Sequence, residues 1–170
     1  MARKFAELRA GMSADRRARV AARTAVARKP SHERSYHPVM PNTTHARGTF
    51  DVAPKVISGP DEAPLGRMSI DKTFHGDLDA TTRGQMLSAM TATKGSAGYV
   101  AIELVTGTLA GKTGTFLLQH HGLMNRGVPT LSVTVIPDSG TGELVGLSGT
   151  LAIIMADGKH GYDFEYSIGT

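Results

Sequence analysis

Two residues in the apolar middle of the chain carry the groups that acid–base chemistry requires. Glu103 lies in the extended run 99–109, and His120 lies in the next run, after a glycine-containing turn at 110–114. If these runs are neighbouring strands, both side chains can face one interior. Burial raises the pKa of a carboxyl group and suits it to general acid or base catalysis, and a facing histidine can relay the proton. Glu103 and His120 are therefore the candidate catalytic residues. A satisfied buried polar pair, or a Glu103 bonded to backbone groups at a bulge, is the structural alternative.

Aromatic residues of the same region form a second candidate set. The structural interpretation is that these residues pack in the core. The functional alternative is that they line a binding site for an apolar or aromatic ligand. The candidate ligand-binding residues are Tyr99, Phe116, Leu118, Tyr162, Phe164 and Tyr166. Met86, Met90 and Met155 would then be an adaptable lining.

The spacing of two further patterns argues against a metal site and against a phosphate-binding loop. His120 and His121 are adjacent, and adjacent strand residues face opposite sides, so they cannot share one metal. His75 and His160 do not complete a zinc-like spacing, and we expect neither a metal nor a cofactor. The AGKTG within residues 107–114 lacks the glycine spacing of a phosphate-binding loop and is followed by a strand, which indicates a hairpin turn.

Extended runs rich in Val, Ile, Thr and Leu alternate with glycine turns, which predicts an all-β fold. The predicted strands are 48–53, 68–78, 85–92, 99–109, 115–125, 130–136, 144–155 and 161–168. Eight evenly spaced strands favour a closed antiparallel barrel or a two-sheet sandwich. We expect the longest loop at 54–66, a turn around Asp79, and a bulge or bend marked by Gly146 and Gly149. Near the C-terminus, Tyr162, Phe164 and Tyr166 alternate with polar residues and should face inward.

Charge divides the chain unevenly. Residues 1–47 contain 11 Lys and Arg against 3 Asp and Glu, a net charge of +8, and residues 48–170 contain 8 against 12, a net charge of −4. We interpret 1–28 as a basic helical extension, 29–47 as a disordered proline-rich linker, and 48–170 as the barrel domain. The arginines of the extension, Arg16, Arg17, Arg19, Arg23 and Arg28, could contact phosphates, but nothing there would read a sequence, so a nucleic-acid partner is not expected.

The chain has no cysteine, which excludes disulfides and thiolate chemistry. It has no apolar run of the roughly 18–20 residues that span a bilayer, and its first residues lack a signal-peptide core. We therefore expect a cytoplasmic protein with no membrane partner. Outward apolar residues such as Ile102 and Leu117 leave a homo-oligomer open.

Four segments together resemble a known family. They are FHGDLDA (74–80), GYVAIELVTGTLAGKTGTFLLQHHG (98–122), IPDSGTGELVGLSG (136–149) and YDFEY (162–166). They are similar to an uncharacterised bacterial family, a domain of unknown function with an allene-oxide-cyclase-like barrel. The resemblance covers about 48–170 and implies an eight-stranded antiparallel barrel related to the lipocalin-like, or calycin-like, folds. It does not imply cyclase activity. In this family the position of Leu104 is often basic, which implies that Leu104 faces outward and Glu103 inward.

Residues 1–24 faintly resemble the start of a helix-turn-helix antitoxin whose helix-turn-helix is missing. Met40 then begins a sequence typical of a barrel protein's own start. The hypothesis is that residues 1–39 are a fusion remnant or a misassigned start, which intact-mass analysis of the natively expressed protein would test.

The leading interpretation is a barrel that binds a small apolar molecule, with isomerase- or cyclase-type acid–base chemistry if it is an enzyme. Whether it is an enzyme stays open at this point. A non-enzymatic structural or interaction barrel filled by its own side chains is the alternative. A DNA-associated regulator acting through the basic N-terminal arm is the weaker one.

Overall fold

Eight runs of β-branched, aromatic and glycine-containing sequence form antiparallel strands. The computed structural model describes residues 43–58 and 63–169. The strands are β1 (Thr44–Val56), β2 (Leu65–Gly76), β3 (Leu78–Met90), β4 (Ala97–Leu109), β5 (Lys112–Asn125), β6 (Val128–Val135), β7 (Leu147–Ala156) and β8 (Lys159–Ile168). A 3-10 turn, Gly142–Leu144, precedes β7. Within the described ranges no helix is long and apolar enough to cross a bilayer.

Each strand pairs with the next, and β8 pairs with β1, so the sheet closes into a barrel. This confirms the eight-stranded antiparallel barrel and rules out the sandwich. The extent of pairing differs between neighbouring strands. β4 and β5 pair along thirteen positions, whereas β6 and β7 share the single pair Thr134–Thr150. Closure removes the exposed edges of an open sheet.

Several predicted boundaries differ from those observed. β1 begins at Thr44, four residues before the expected start of the barrel, and β1 and β2 take up both ends of the loop predicted at 54–66. The turn expected around Asp79 lies instead at Asp77, next to Gly76 with its φ of +112°. Asp79 belongs to β3, because residues 78–84 pair with β4 although they lack strong apolar alternation. Cross-strand pairing thus outweighs local preference here.

The seventh strand also starts later than predicted. It begins at Leu147, and Gly146, with a φ of +80°, lies in the turn before it. Leu144 is buried, but in the 3-10 turn rather than in the strand. The predicted helical extension (1–28) and most of the predicted linker (29–47) lie outside the described residues.

Buried aromatic and aliphatic side chains pack one end of the barrel. This closed end lies at the turns that join β2 to β3 and β4 to β5. Its aromatic rings pack in contact, with centroid distances of 5.9 Å for Phe116–Phe164 and 5.3 Å for Phe164–Tyr166. The Leu78 backbone N–H donates to the Tyr162 hydroxyl at 2.9 Å. The predicted inward face of β8 (Tyr162, Phe164, Tyr166) is confirmed. The opposite end, called the mouth below, is packed differently.

Candidate ligand site at the barrel mouth

Glu103 and His120 meet inside the barrel. On β4 and β5, Ala101 pairs with His120 and Glu103 pairs with Leu118, so the two polar residues are diagonal neighbours on the inward face. Glu103 is 0% exposed and His120 is 2% exposed. His120 Nε2 lies 2.8 Å from Glu103 Oε2. Leu104 is half-buried, and Val100 and Ile102 on its face of β4 are exposed, so the implied inward direction of Glu103 holds.

A third residue, Lys72 of β2, completes the group and was missed by the sequence analysis. Its ammonium Nζ lies 2.5 Å from the same Oε2 of Glu103, and the residue is 7% exposed. The sequence did indicate that Lys72 faces inward, because it shares a strand face with Phe74 and Ile70, and an inward Phe74 implies an inward Lys72. Lysine is rarely buried unless paired, which is why this alternation is easily passed over. We call Lys72, Glu103 and His120 the polar cluster.

The barrel wall beside the polar cluster is locally opened. The pairing of β2 with β3 is interrupted between Ser69–Gln85 and Thr73–Thr81, with the register unchanged on both sides. Within the gap the Lys72 backbone N–H donates to the Thr82 hydroxyl at 3.0 Å, a side-chain substitute for the ladder bond. A cavity of about 330 Å³ lies beside this gap, lined by residues 51–53 of β1, 71–73 of β2 and 81–82 of β3.

Gly84 makes room for the side chain of Ile70, beside the polar cluster. It is buried and lies opposite Glu103 across β3 and β4. A Cβ at this position would lie 2.7 Å from Ile70 Cγ1, so a larger residue would have to displace Ile70. The small residue therefore allows Ile70, which lines the mouth pocket, to pack close to β3.

The electrostatics of Glu103 differ from the expectation based on burial alone. Burial by itself raises the pKa of Glu103, but the hydrogen bond from His120 and the charge and hydrogen bond of Lys72 outweigh it, with a smaller contribution from Thr82. The net result is a pKa below the ordinary value, so Glu103 is a carboxylate. The raised pKa expected for Glu103 from the sequence was wrong in direction, because the hydrogen bond of His120 and the charge and hydrogen bond of Lys72 together outweigh burial. Oε1 of Glu103 is buried and has no hydrogen-bond partner among the described residues.

The ionised Glu103 fixes the proton position on His120. A carboxylate only accepts hydrogen bonds, so Nε2 of His120 must carry the proton that it donates to Oε2. In neutral imidazole the lone pair then belongs to Nδ1. Nδ1 of His120 has no hydrogen-bond partner among the described residues, and Oε1 of Glu103 is the one fully enclosed side-chain polar atom there without a partner. Nδ1 is thus the ring nitrogen that a ligand could engage.

Two aromatic rings hold the ammonium of Lys72 in place. Nζ lies 5.4 Å from the ring centroid of Phe50 and 5.8 Å from that of Phe74, within the range of cation–π attraction. An ammonium has three N–H donors, and Glu103 is its hydrogen-bond acceptor among the described residues. Lys72 therefore retains donors for a further oxygen.

A pocket of about 210 Å³ opens from the mouth onto the polar cluster. Its apolar lining consists of Phe50, Val52, Ile70, Met86, Ile153 and Met155. Its polar lining consists of Lys72, His120, Tyr99 and His160. Glu103 does not line the pocket and lies behind Lys72 and His120. The Tyr99 ring crosses β5 at Gly122, where a Cβ would lie 2.1 Å from the ring, so glycine is needed for this placement.

The predicted ligand-binding residues divide between the two ends of the barrel. Tyr99 lines the mouth pocket, as do the expected methionines Met86 and Met155, whereas Met90 is an exposed residue of β3. Five others belong to the buried core and line neither of the two cavities described: Phe116, Leu118, Tyr162, Phe164 and Tyr166. Their ligand-binding role stays a prediction, and their placement is the one that core packing explains.

The histidines do not converge. His121 is exposed on the outer face, opposite His120, as the strand alternation predicted. His75 contacts Asp51 on the outside at 3.2 Å, and His160 packs on Phe50 with ring centroids 5.0 Å apart. In the described part of the chain no three His, Asp or Glu residues are grouped as metal ligands would be.

Comparison with known proteins identifies the family. The family described as Protein of unknown function (DUF3224) matches residues 46–166. The chain belongs to the DUF3224 family. A crystal structure of a DUF3224 protein of unknown function from Shewanella oneidensis MR-1, at 1.84 Å resolution, is similar to it. The two share 48% identity and a TM-score of 0.71 over 75% of this chain and 98% of that one. No curated protein matches this chain significantly. The DUF3224 match contains all three residues of the polar cluster.

Proposed function

We propose that the barrel mouth binds one small, largely apolar molecule carrying a carbonyl or comparable oxygen. The observation that carries this proposal is the mouth pocket itself, an apolar cavity of about 210 Å³ with Lys72 and His120 at its inner end. Small-molecule sites are typically apolar cavities with a few convergent polar groups. The volume fits a molecule of one or two rings.

Charge at the mouth favours a neutral ligand. Lys72 and Glu103 form an ion pair, and no carboxylate side chain is among the residues that line the pocket. The positive charge of Lys72 is thus balanced from behind, while its remaining N–H donors can bind an oxygen. A carbonyl group accepts such hydrogen bonds without bringing a net charge into a partly dry pocket.

The energetic cost of the polar cluster also supports a functional role. Removing two charges from water costs free energy that their mutual attraction recovers only in part, and apolar replacements of buried ion pairs are often neutral or stabilising. We therefore expect an apolar pair in place of Lys72 and Glu103 to leave the barrel about as stable. Isomerase- or cyclase-type chemistry is the activity for which this set of groups is suited.

The second candidate is a structural or interaction barrel filled by its own side chains. The packed closed end, with its stacked Phe116 and Phe164, favours it. The weaker alternative is a DNA-associated regulator. It depends on residues 1–28, which lie outside the described residues.

Titration of methyl-labelled protein with three ketones of increasing size tests binding. The ketones are cyclohexanone, 2-indanone and 2-tetralone, and NMR follows the methyl groups of Met86, Met155 and Ile153. We expect saturable shifts at these methyls with at least one ketone, weaker binding of the carbonyl-free analogue indane, and no comparable shift at the outward Ile102. If none of the three ketones gives saturable shifts, the binding proposal is wrong.

A pair of tryptophan variants adds a matched control. Met86→Trp should fill the pocket and abolish the shifts. Leu87→Trp changes the neighbouring residue, which is exposed on the outer face of β3, and should leave them intact. Equal effects of both substitutions would place the ketone outside the mouth.

A further inference from the structure

We infer that the mouth is an active site for proton transfer at carbon, in which His120 Nδ1 removes a proton from the carbon beside a carbonyl group and Lys72 binds the resulting enolate oxygen. The inference rests on the proposed binding of a carbonyl compound and names the substrate class as enolisable ketones or aldehydes. Glu103 acts through His120 as a positioning residue.

The base is His120 and not Glu103, because of where each lies. Glu103 is 0% exposed and does not line the pocket, so a ligand cannot contact it without displacing Lys72 or His120. His120 lines the pocket and donates to Glu103 through Nε2, so Nδ1 is its ring nitrogen left for a ligand in that pocket. A carboxylate behind an imidazole holds it in one tautomer and stabilises the imidazolium that forms on proton uptake.

Lys72 is placed to stabilise the negative charge that develops on oxygen. Lys72 lines the same pocket as His120, and its ammonium is held by Glu103 and by the rings of Phe50 and Phe74. A cation fixed in advance where charge develops contributes strongly to catalysis, because little reorganisation is needed during the reaction. Such a cation would assist enolate formation and not merely ligand binding.

The step balances without a further reactant. The C–H bond breaks, its proton binds Nδ1 of His120, and its electron pair forms the carbon–carbon double bond of the enolate as the carbonyl π pair moves onto oxygen. The two new charges, imidazolium and enolate, face Glu103 and Lys72 respectively. Return of the proton to the same carbon exchanges hydrogen with solvent, and return to a conjugated carbon isomerises a double bond.

Hydrogen–deuterium exchange measures this activity. The full-length protein is incubated in D2O with cyclohexanone, 2-indanone or 2-tetralone, and NMR follows the loss of the protons next to the carbonyl. We expect His120→Gln to slow the protein-dependent exchange by about 100-fold or more. The matched control is His121→Gln, which removes the adjacent but outward histidine and should leave the rate unchanged.

Two more pairs of variants separate the roles. Lys72→Met should slow exchange by about 100-fold, whereas Lys55→Met, at an exposed position of β1, should not. Glu103→Gln should lower kcat and leave KM unchanged, because Glu103 does not touch the ligand. A purely structural role for Glu103 would instead disturb the pocket and change KM and the methyl shifts together.

The outcomes are distinguishable from those of the binding proposal. Saturable methyl shifts without exchange above the His120→Gln variant would overturn the proton-transfer inference while binding stands. Equal loss in His120→Gln and His121→Gln would overturn His120 as the base. Absence of methyl shifts with every ketone would overturn binding, and the activity with it.

Discussion

The closed end and the mouth of this barrel follow the same strand alternation but bury different chemistry. At the closed end the inward positions are aromatic or aliphatic, and the Tyr162 hydroxyl is hydrogen-bonded to Leu78. At the mouth the inward positions include Lys72, Glu103 and His120, one carboxylate oxygen has no partner among the described residues, and a pocket reaches the polar cluster. The closed end thus buries side chains that stabilise the fold, whereas the mouth buries charged groups whose desolvation costs free energy.

The largest expected effect concerns packing at the closed end. Phe164→Ala removes a fully buried ring that contacts Phe116 and Tyr166, and should lower the free energy of unfolding by about 3–5 kcal/mol. Met155→Ala, at the mouth where the residue is 62% exposed, should change it by less than about 0.5 kcal/mol. Denaturant unfolding measures both. Similar losses from the two substitutions would mean that the ends are packed alike.

The next effect concerns the ion pair. Lys72→Met leaves the Glu103 carboxylate buried with His120 alone, and should lower the free energy of unfolding by about 3 kcal/mol. The double variant Lys72→Met with Glu103→Leu removes both charges and should recover to within about 1 kcal/mol of the wild type. A double variant no more stable than Lys72→Met would show that the pair is needed for the fold itself.

The smallest effect is the dependence of stability on pH. The pKa of Glu103 is lower in the folded protein than in the unfolded chain, so its contribution is present above the ordinary carboxyl value of about 4.3 and is lost as pH falls through the folded pKa. The wild type should therefore lose stability below about pH 4.3 more steeply than Glu103→Gln. Equal slopes would contradict a lowered pKa.

A second carboxylate also contributes to the pH dependence of stability and is therefore removed before the two proteins are compared. Asp163, on the outer face, also has a lowered pKa, first because of its hydrogen bond with His45 and then that with Arg47. It contributes to the pH dependence in the same direction. Both proteins are therefore measured in the Asp163→Asn background, where the remaining difference in slope belongs to Glu103.

The fold was largely predictable from the chain. Glycine punctuation and β-branched runs gave eight strands, and the clean alternation of β8 assigned its aromatic face correctly. The sequence predicted the second half of β3 but not its first half, residues 78–84, because the inward Ala80, Thr82 and Gly84 are too small or polar to produce an apolar pattern. Their extended conformation comes from pairing with β4, which local sequence does not record.

The site was predictable only in part. Glu103 and His120 stood out because polar residues interrupt apolar strands. Lys72 lies in a mixed strand of ordinary polarity, where the face that it shares with Phe74 was the one sequence signal of its burial. Its partner Glu103 is 31 positions away, so the ion pair itself was not visible in the local sequence. The division between a packed end and an open mouth was also hidden, because Tyr99 and Tyr162 look alike in sequence. Their difference depends on neighbours such as Gly122.

The central claim is that Glu103 fixes His120 with its proton on Nε2 and its lone pair on Nδ1, facing the mouth. Long-range 15N–1H NMR of the histidine rings at neutral pH reports the tautomer of each ring directly. We predict the Nε2–H tautomer for His120, assigned through its loss in His120→Gln. A proton on Nδ1 of the neutral ring would contradict the account, since no base would then face the pocket.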